Sequence, residues 1–133
     1  MPSRISTSAC LLLSLALAGC GSPEARWAAC QEAVETGAAA EKDGWYAEAE
    51  RLYRKACAMD PGDPVPLRYL GELHRHHTGD WDQAESCFRK VLALTADGSD
   101  PRSRAAALHG LGKMTVWHNR FEDGLKLMEE SIA

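Results

Sequence analysis

The chain has 133 residues, with 15 basic and 19 acidic side chains and a formal net charge of −4. A mildly acidic protein without a dense Lys/Arg stripe lacks the positive surface that displaces phosphate counterions, which argues against nucleic-acid binding. Alanine, leucine and glutamate are abundant while valine and isoleucine are scarce, so the composition favours helix over strand and predicts an all-α protein.

The first nineteen residues have the features of a secretion signal. One basic residue, Arg4, precedes a mostly apolar stretch at residues 9–18. In a helix this stretch would rise only about 15 Å, roughly half of a bilayer's hydrocarbon thickness. We therefore expect residues 1–19 to be a cleaved signal peptide and not a membrane span.

Residues 17–20, Leu-Ala-Gly-Cys, resemble the bacterial lipobox. The resemblance implies cleavage before Cys20 and diacylation of its sulfur, and two acyl chains give stable membrane anchoring. Gly21 stands where some lipoproteins have the aspartate that is associated with inner-membrane retention. We therefore expect the outer membrane rather than the inner one, with the protein facing the periplasm or the exterior. An ordinary signal peptide beside an unrelated cysteine is the alternative.

Residues 20–22 are predicted to be a short tether, and residues 23–133 the folded domain. Ser22 suits the N-cap of a helix and Pro23 its first position. The same combination recurs at Asp63-Pro64 and Asp100-Pro101, and Asp80 and Asn119 are expected to cap further helices. Between Thr95 and Arg104 the chain exceeds the repeat described next by about six residues, which predicts a longer loop.

The domain repeats itself. Residues 44–56 align with residues 79–91, because in both an aromatic residue is followed by a small residue three positions later and an aromatic residue four after that. Residues 119–128 give a third copy. A pair ending in glycine precedes each copy: Thr36-Gly37, Leu70-Gly71 and Leu111-Gly112. Two helices per repeat are predicted.

This pattern resembles the tetratricopeptide repeat, and the middle copy matches best, with Leu67, Leu70-Gly71, Trp81, Ala84 and Phe88. The first copy departs from it, with Ala33 and Thr36 at positions that are usually large and apolar. The resemblance implies an α-solenoid of about three helix-turn-helix units in a right-handed superhelical stack. The expected units are residues 30–63, 64–98 and 105–133, with Cys30 beginning the first helix.

By the same resemblance, the first helix of each unit lines a groove that binds a protein or peptide. The expected lining is Gln31, Val34, Ala38, Glu41, Val65, Arg68, Glu72, Arg75, Ala106, His109, Lys113 and Val116. Its centre is locally basic, which favours an acidic peptide. The predicted partner-binding residues are Arg68, Glu72, Arg75, His109, Lys113 and Val116. An ordinary solvated face is the alternative.

The cysteines and the turn histidines are candidate sites for a disulfide or a metal ion. Cys30 and Cys57 are expected at the same end of the first hairpin, where an exported compartment would permit a disulfide; two unpaired small apolar residues are the alternative. Cys87 has no obvious partner. The turn histidines His74, His76, His77 and His118 match no known metal-ligand spacing. We expect no cofactor, no metal and no catalysis, since no phosphate loop or nucleophile motif is present.

The last predicted helix leaves Leu125, Leu127 and Ile132 without a following unit to cover them. Two functions follow as hypotheses. The protein is a membrane-anchored adaptor or assembly factor of the bacterial envelope that binds its partner through the groove. Alternatively, it is a truncated or obligately oligomeric structural repeat that associates through this uncovered end.

Overall fold

A computed structural model describes residues 21–133, so the expected signal peptide and the expected lipidation site Cys20 lie outside the described part. Over these residues the chain forms three helical hairpins, without a strand. The helices are α1 (Pro23–Lys42), α2 (Tyr46–Met59), α3 (Pro64–Leu73), α4 (Trp81–Leu94), α5 (Pro101–Trp117) and α6 (Phe121–Ile132). A π-helical turn at His74–Thr78 extends α3. The expected all-α fold is confirmed, and none of the described helices is both long and apolar enough to cross a membrane.

The helices begin where the sequence places their caps. Ser22 Oγ accepts the backbone N–H of Ala25 at 3.2 Å, and Pro23 takes the first helical position of α1. Aspartates cap α3, α4 and α5 in the same way, at Asp63, Asp80 and Asp100. Each side chain satisfies a backbone donor that the first turn leaves without a partner, which stabilises a helix by about 1 kcal/mol.

Asn119 does not cap α6, contrary to expectation. Arg120 takes the position before α6 and makes no side-chain cap, whereas Asn119 adopts a left-handed backbone with φ +66°. Gly44 and Gly79, which align with Asn119 in the repeat, adopt the same conformation at +83° and +70°. Asparagine enters the left-handed region more readily than other side chains, so it replaces glycine in this turn.

Two predicted boundaries need correction. Cys30 lies two turns inside α1 and does not begin it, because the helix starts at Pro23. The third hairpin starts at Pro101 and not near residue 105. The loop after α4 is therefore shorter than predicted and covers only residues 95–100. The other additional residues belong to α5, which has 17 residues.

The hairpins stack side by side in two layers. The first helices α1, α3 and α5 contact one another in sequence, and each second helix packs against the first helix of the next hairpin. We call the contact between hairpins one and two the first junction, and that between hairpins two and three the second junction. Tyr53 and Leu73 are fully buried near the first junction, and Phe88 and Val91 near the second. This arrangement agrees with the predicted α-solenoid.

Glycines on the first helices make room for the aromatic rings of the second. The ring of Phe88 lies between Gly71 of its own hairpin and Gly110 of the next, where an added Cβ would come within 2.8 Å and 2.6 Å of ring carbons. Gly37 receives Tyr53 in the same manner. Because protein interiors are close-packed, these helices can approach this closely only where glycine has no side chain.

Replacing Gly110 with alanine tests this packing. On an exposed helix the change would stabilise by about 1 kcal/mol through helix propensity. Here the new Cβ would collide with the Phe88 ring, so we expect a net destabilisation of about 1–3 kcal/mol, measured by urea unfolding.

Ser86→Ala is the matched control, because Ser86 is exposed in the middle of α4. In the Gly110→Ala/Phe88→Leu double variant, the smaller side chain should recover part of the loss as a coupling energy. Stability equal to or above that of the parent protein in Gly110→Ala would contradict the close approach at this position.

Candidate partner-binding face

The predicted binding residues form two helical stripes. Arg68, Glu72 and Arg75 are spaced by one helical turn along α3 and its π-helical extension, and His109 and Lys113 are one turn apart on α5. We call these five residues the first-helix face. Its two stripes lie on neighbouring helices, because α3 and α5 contact each other.

Glu72 neutralises the charges around it. Its Oε2 lies 2.7 Å from Arg75 Nη2 and 3.1 Å from His76 Nε2, and Arg75 also contacts His76. The Arg75 side chain is only 12% exposed. Burial, and then the charge of Arg75, lower the pKa of His76. Arg75 is therefore held within the fold and is not the solvated groove cation that the sequence predicted.

Arg68 and Lys113 are different, because within residues 21–133 neither has a carboxylate oxygen within 4 Å. The guanidinium of Arg68 lies 4.5 Å from the centre of the Tyr69 ring, a cation–π contact. Its Nε is buried and has no hydrogen-bond partner. Lys113 is exposed. The first-helix face thus carries two cations, Arg68 and Lys113, that form no salt bridge within residues 21–133, beside the neutral Glu72–Arg75 pair.

A second polar network, at the first junction, escaped the sequence analysis. Glu41 of α1 accepts a hydrogen bond from the Tyr53 hydroxyl at 2.8 Å, and its other oxygen lies 3.3 Å from His77 Nε2. The His77 ring stacks on Tyr46 with 4.3 Å between centroids. Glu41, which its repeat position predicted to line the groove, thus joins α1 to the first junction. In the sequence, only the aligned aromatic positions gave a signal of this network.

Two apolar residues expected in the groove are packed elsewhere. Val34 is 5% exposed and belongs to the core beside Tyr53. Val116 contacts Gly124 of α6, so its side chain takes part in packing the third hairpin. Both positions lie on the side of the first helix that turns toward a second helix, which repeat alignment alone does not distinguish.

Among residues 21–133 the structure has three cysteines, Cys30, Cys57 and Cys87, with no disulfide between them. Cys30 is fully buried and its Sγ lies 3.6 Å from the carbonyl oxygen of Ala56, beside Cys57, so the two cysteines do share one end of the first hairpin. Burial raises the pKa of Cys57 to about 11 and also raises that of Cys30 and Cys87. All three are therefore poor nucleophiles at neutral pH. A disulfide between Cys30 and Cys57 stays a prediction.

Among residues 21–133 no three His, Cys, Asp or Glu side chains are placed to hold a metal ion. His74, His76 and His77 instead face different carboxylates, namely Glu50, Glu72 and Glu41.

Comparison with known proteins identifies the middle hairpin. Residues 67–102 match the family model of the tetratricopeptide repeat. This segment runs from α3 through α4 to the first turn of α5 and contains Gly71, Trp81, Ala84 and Phe88. A search of curated proteins returned no match. The chain therefore contains a tetratricopeptide repeat, and this matched middle hairpin is stacked between two other helical hairpins.

Proposed function

We propose that this protein is a membrane-anchored adaptor of the bacterial envelope that binds an acidic segment of a protein partner on its first-helix face. Tetratricopeptide repeats bind proteins through the extended surface that stacked units create. The observation that carries the proposal is the pair of cations without carboxylate partners, Arg68 and Lys113, on a chain whose net charge is negative. An acidic peptide lying across α3 and α5 would supply the missing negative charges.

The bacterial lipobox resemblance supplies the rest of the proposal. Residues 1–19 direct export, Cys20 carries the lipid, and the protein faces the periplasm or the exterior at the outer membrane. Helix α1 begins at Pro23, directly after its Ser22 cap. Only Gly21 and Ser22 would then separate the lipid from the first helix, so the partner would be held at the membrane surface.

Charge reversal tests the binding face. The Arg68→Glu/Lys113→Glu variant should lose at least about tenfold in partner capture, since loss of an interfacial charge pair costs 2 kcal/mol or more. Capture would be measured as proteins cross-linked to the protein in the native envelope and quantified by mass spectrometry.

The matched control is Lys55→Glu/Lys90→Glu, which changes the net charge equally at exposed positions of the second helices α2 and α4. Proteins lost with the first variant and retained with the control are the partners of the face. An identical capture profile for both variants would overturn the proposed binding surface.

Substitution of Cys20 tests the anchor. Cys20→Ser should move the protein from the detergent-rich to the aqueous phase on temperature-induced phase separation, because the acyl chains require the thiol. Cys10→Ser, a change within the expected signal, should leave the mature protein in the detergent-rich phase. Equal partitioning of Cys20→Ser and the parent protein would contradict lipid attachment at this residue.

A second function is favoured by a different observation, the exposed apolar side of α6. Phe121 and Leu125 are each 55% exposed and Ile132 is 87% exposed. Leu127, which the sequence placed on the same surface, packs instead against the apolar cluster of the second junction. The equivalent surfaces of α2 and α4 are covered by α3 and α5, so this one suits association with another copy of the chain.

Light scattering on residues 21–133 distinguishes the two functions. A concentration-dependent oligomer that dissociates in Leu125→Glu, but not in the exposed Lys126→Glu control, would establish association through α6. A monomer at all concentrations is expected if the first-helix face alone binds the partner.

A further inference from the structure

The two junctions can be compared position by position, because the repeat aligns their residues. Glu50 and Arg54 of α2 correspond to Glu85 and Arg89 of α4, 35 residues later. The Leu70-Gly71 pair corresponds to Leu111-Gly112, so His74 corresponds to Thr115. The junctions therefore share a carboxylate and a guanidinium but differ in the side chain that faces them.

At the first junction the position is filled by an imidazole ring. His74 is 2% exposed, and its Nδ1 lies 2.9 Å from Thr78 Oγ1. Its Nε2 points toward Glu50, 3.9 Å from Oε1, and Arg54 pairs with the same carboxylate oxygen at 2.8 Å. The ring thus occupies the space between the second helix of one hairpin and the first helix of the next.

At the second junction the same position is filled only in part. Thr115 is smaller than histidine, and its hydroxyl donates to the carbonyl oxygen of Leu111 at 2.7 Å, within its own helix. A cavity of about 210 Å³ is left. Its lining includes Glu85, Leu111, Met114, Thr115, Arg120 and Leu127. Glu85 and Arg89 still pair, at 2.6 Å, as their counterparts do.

We propose that this cavity of the second junction binds an imidazole ring from outside the fold. Leu111, Met114 and Leu127 provide apolar contact for the ring, and Glu85 can accept an N–H where Glu50 faces His74. A cavity of this size is below the range of about 300–1,000 Å³ for drug-sized ligands and suits a single ring. Arg89 and Arg120 at its border are paired with Glu85 and Asp123, so the neutral ring adds no unbalanced charge to the cavity.

The ring has two sources, a histidine of a protein partner or a free imidazole-containing molecule. Free imidazole and the tripeptide acetyl-Ala-His-Ala-amide represent them. The cavity is bordered by two exposed arginines, Arg89 and Arg120. A shallower depression is lined by the same two arginines and by Thr115 and Leu127. If both probes bind, a partner's histidine can enter; if only imidazole binds, the ligand is a free molecule. Either outcome supports the proposal.

The test is a titration of the full isotope-labelled chain by NMR at pH 8, above the imidazole pKa of about 6.5 in histidine. We expect saturable chemical-shift changes in the resonances of Leu111, Thr115 and Leu127. The dissociation constant should be about a millimolar, as a five-atom ring allows. Thr115→His should abolish these shifts by filling the cavity with its own ring. Thr115→Ser, the matched control, keeps the space and the hydroxyl and should bind as the parent protein does.

His74→Ala makes the reciprocal test, because it opens the equivalent space at the first junction. Imidazole should then raise the Tm of this variant more than that of the parent protein and shift resonances near Glu50. Absence of saturable shifts in the parent protein overturns the proposal, a result that does not depend on whether any variant folds. Undiminished binding in Thr115→His overturns it as well.

Discussion

The structure depends on how closely paired helices approach where glycine replaces a side chain. Phe88 is the clearest case, since its ring lies between Gly71 and Gly110 and so fixes the distances from α4 to the helices before and after it. Tyr53 and Gly37 set the same distance in the first hairpin. In the third hairpin no aromatic ring intervenes, and α5 and α6 approach directly through Gly112 and Gly124. Packing of this kind makes each junction an independent contact, as expected for a repeat architecture.

Charge is distributed over this scaffold according to layer. On the second helices, exposed arginines pair with glutamates one turn away, as Arg51 does with Glu48, and such pairs contribute little to stability. On the first helices, Glu41 and Glu72 bind histidines and Arg75 in partly buried networks. Arg68 and Lys113 remain outside those networks. The face is therefore less basic than its sequence indicates, and its positive charge is concentrated at two positions.

Much of the fold could be predicted from the sequence, because the signals were local. The cap-proline pairs at Ser22, Asp63 and Asp100 fix where helices begin, and the spacing of small and aromatic residues identifies the hairpins. Asn119 was misassigned since asparagine suits both an N-cap and a left-handed turn. Only its alignment with Gly44 and Gly79 distinguishes the two.

The site was less predictable, because it depends on which side chains meet across junctions. Gly110 was overlooked since it lies two residues before the recognised Gly112, yet it contacts Phe88. Arg75 and Val116 occupy groove positions in the repeat but are drawn into contacts with Glu72 and Gly124. The difference between His74 and Thr115 is visible in an alignment of the repeats. The cavity beside Thr115 could not be predicted in the same way, because it depends on where Leu111 and Leu127 lie in the fold.

The sparse burial of α6 has a consequence for motion. Gly124 is the one buried residue of α6, whereas α4 has four buried residues. The free energy needed to detach α6 should therefore be smaller than that needed to detach α4, and the amide protons of α6 should exchange with solvent earlier than those of α4. A ligand that contacts α6 would then be coupled to the ordering of that helix.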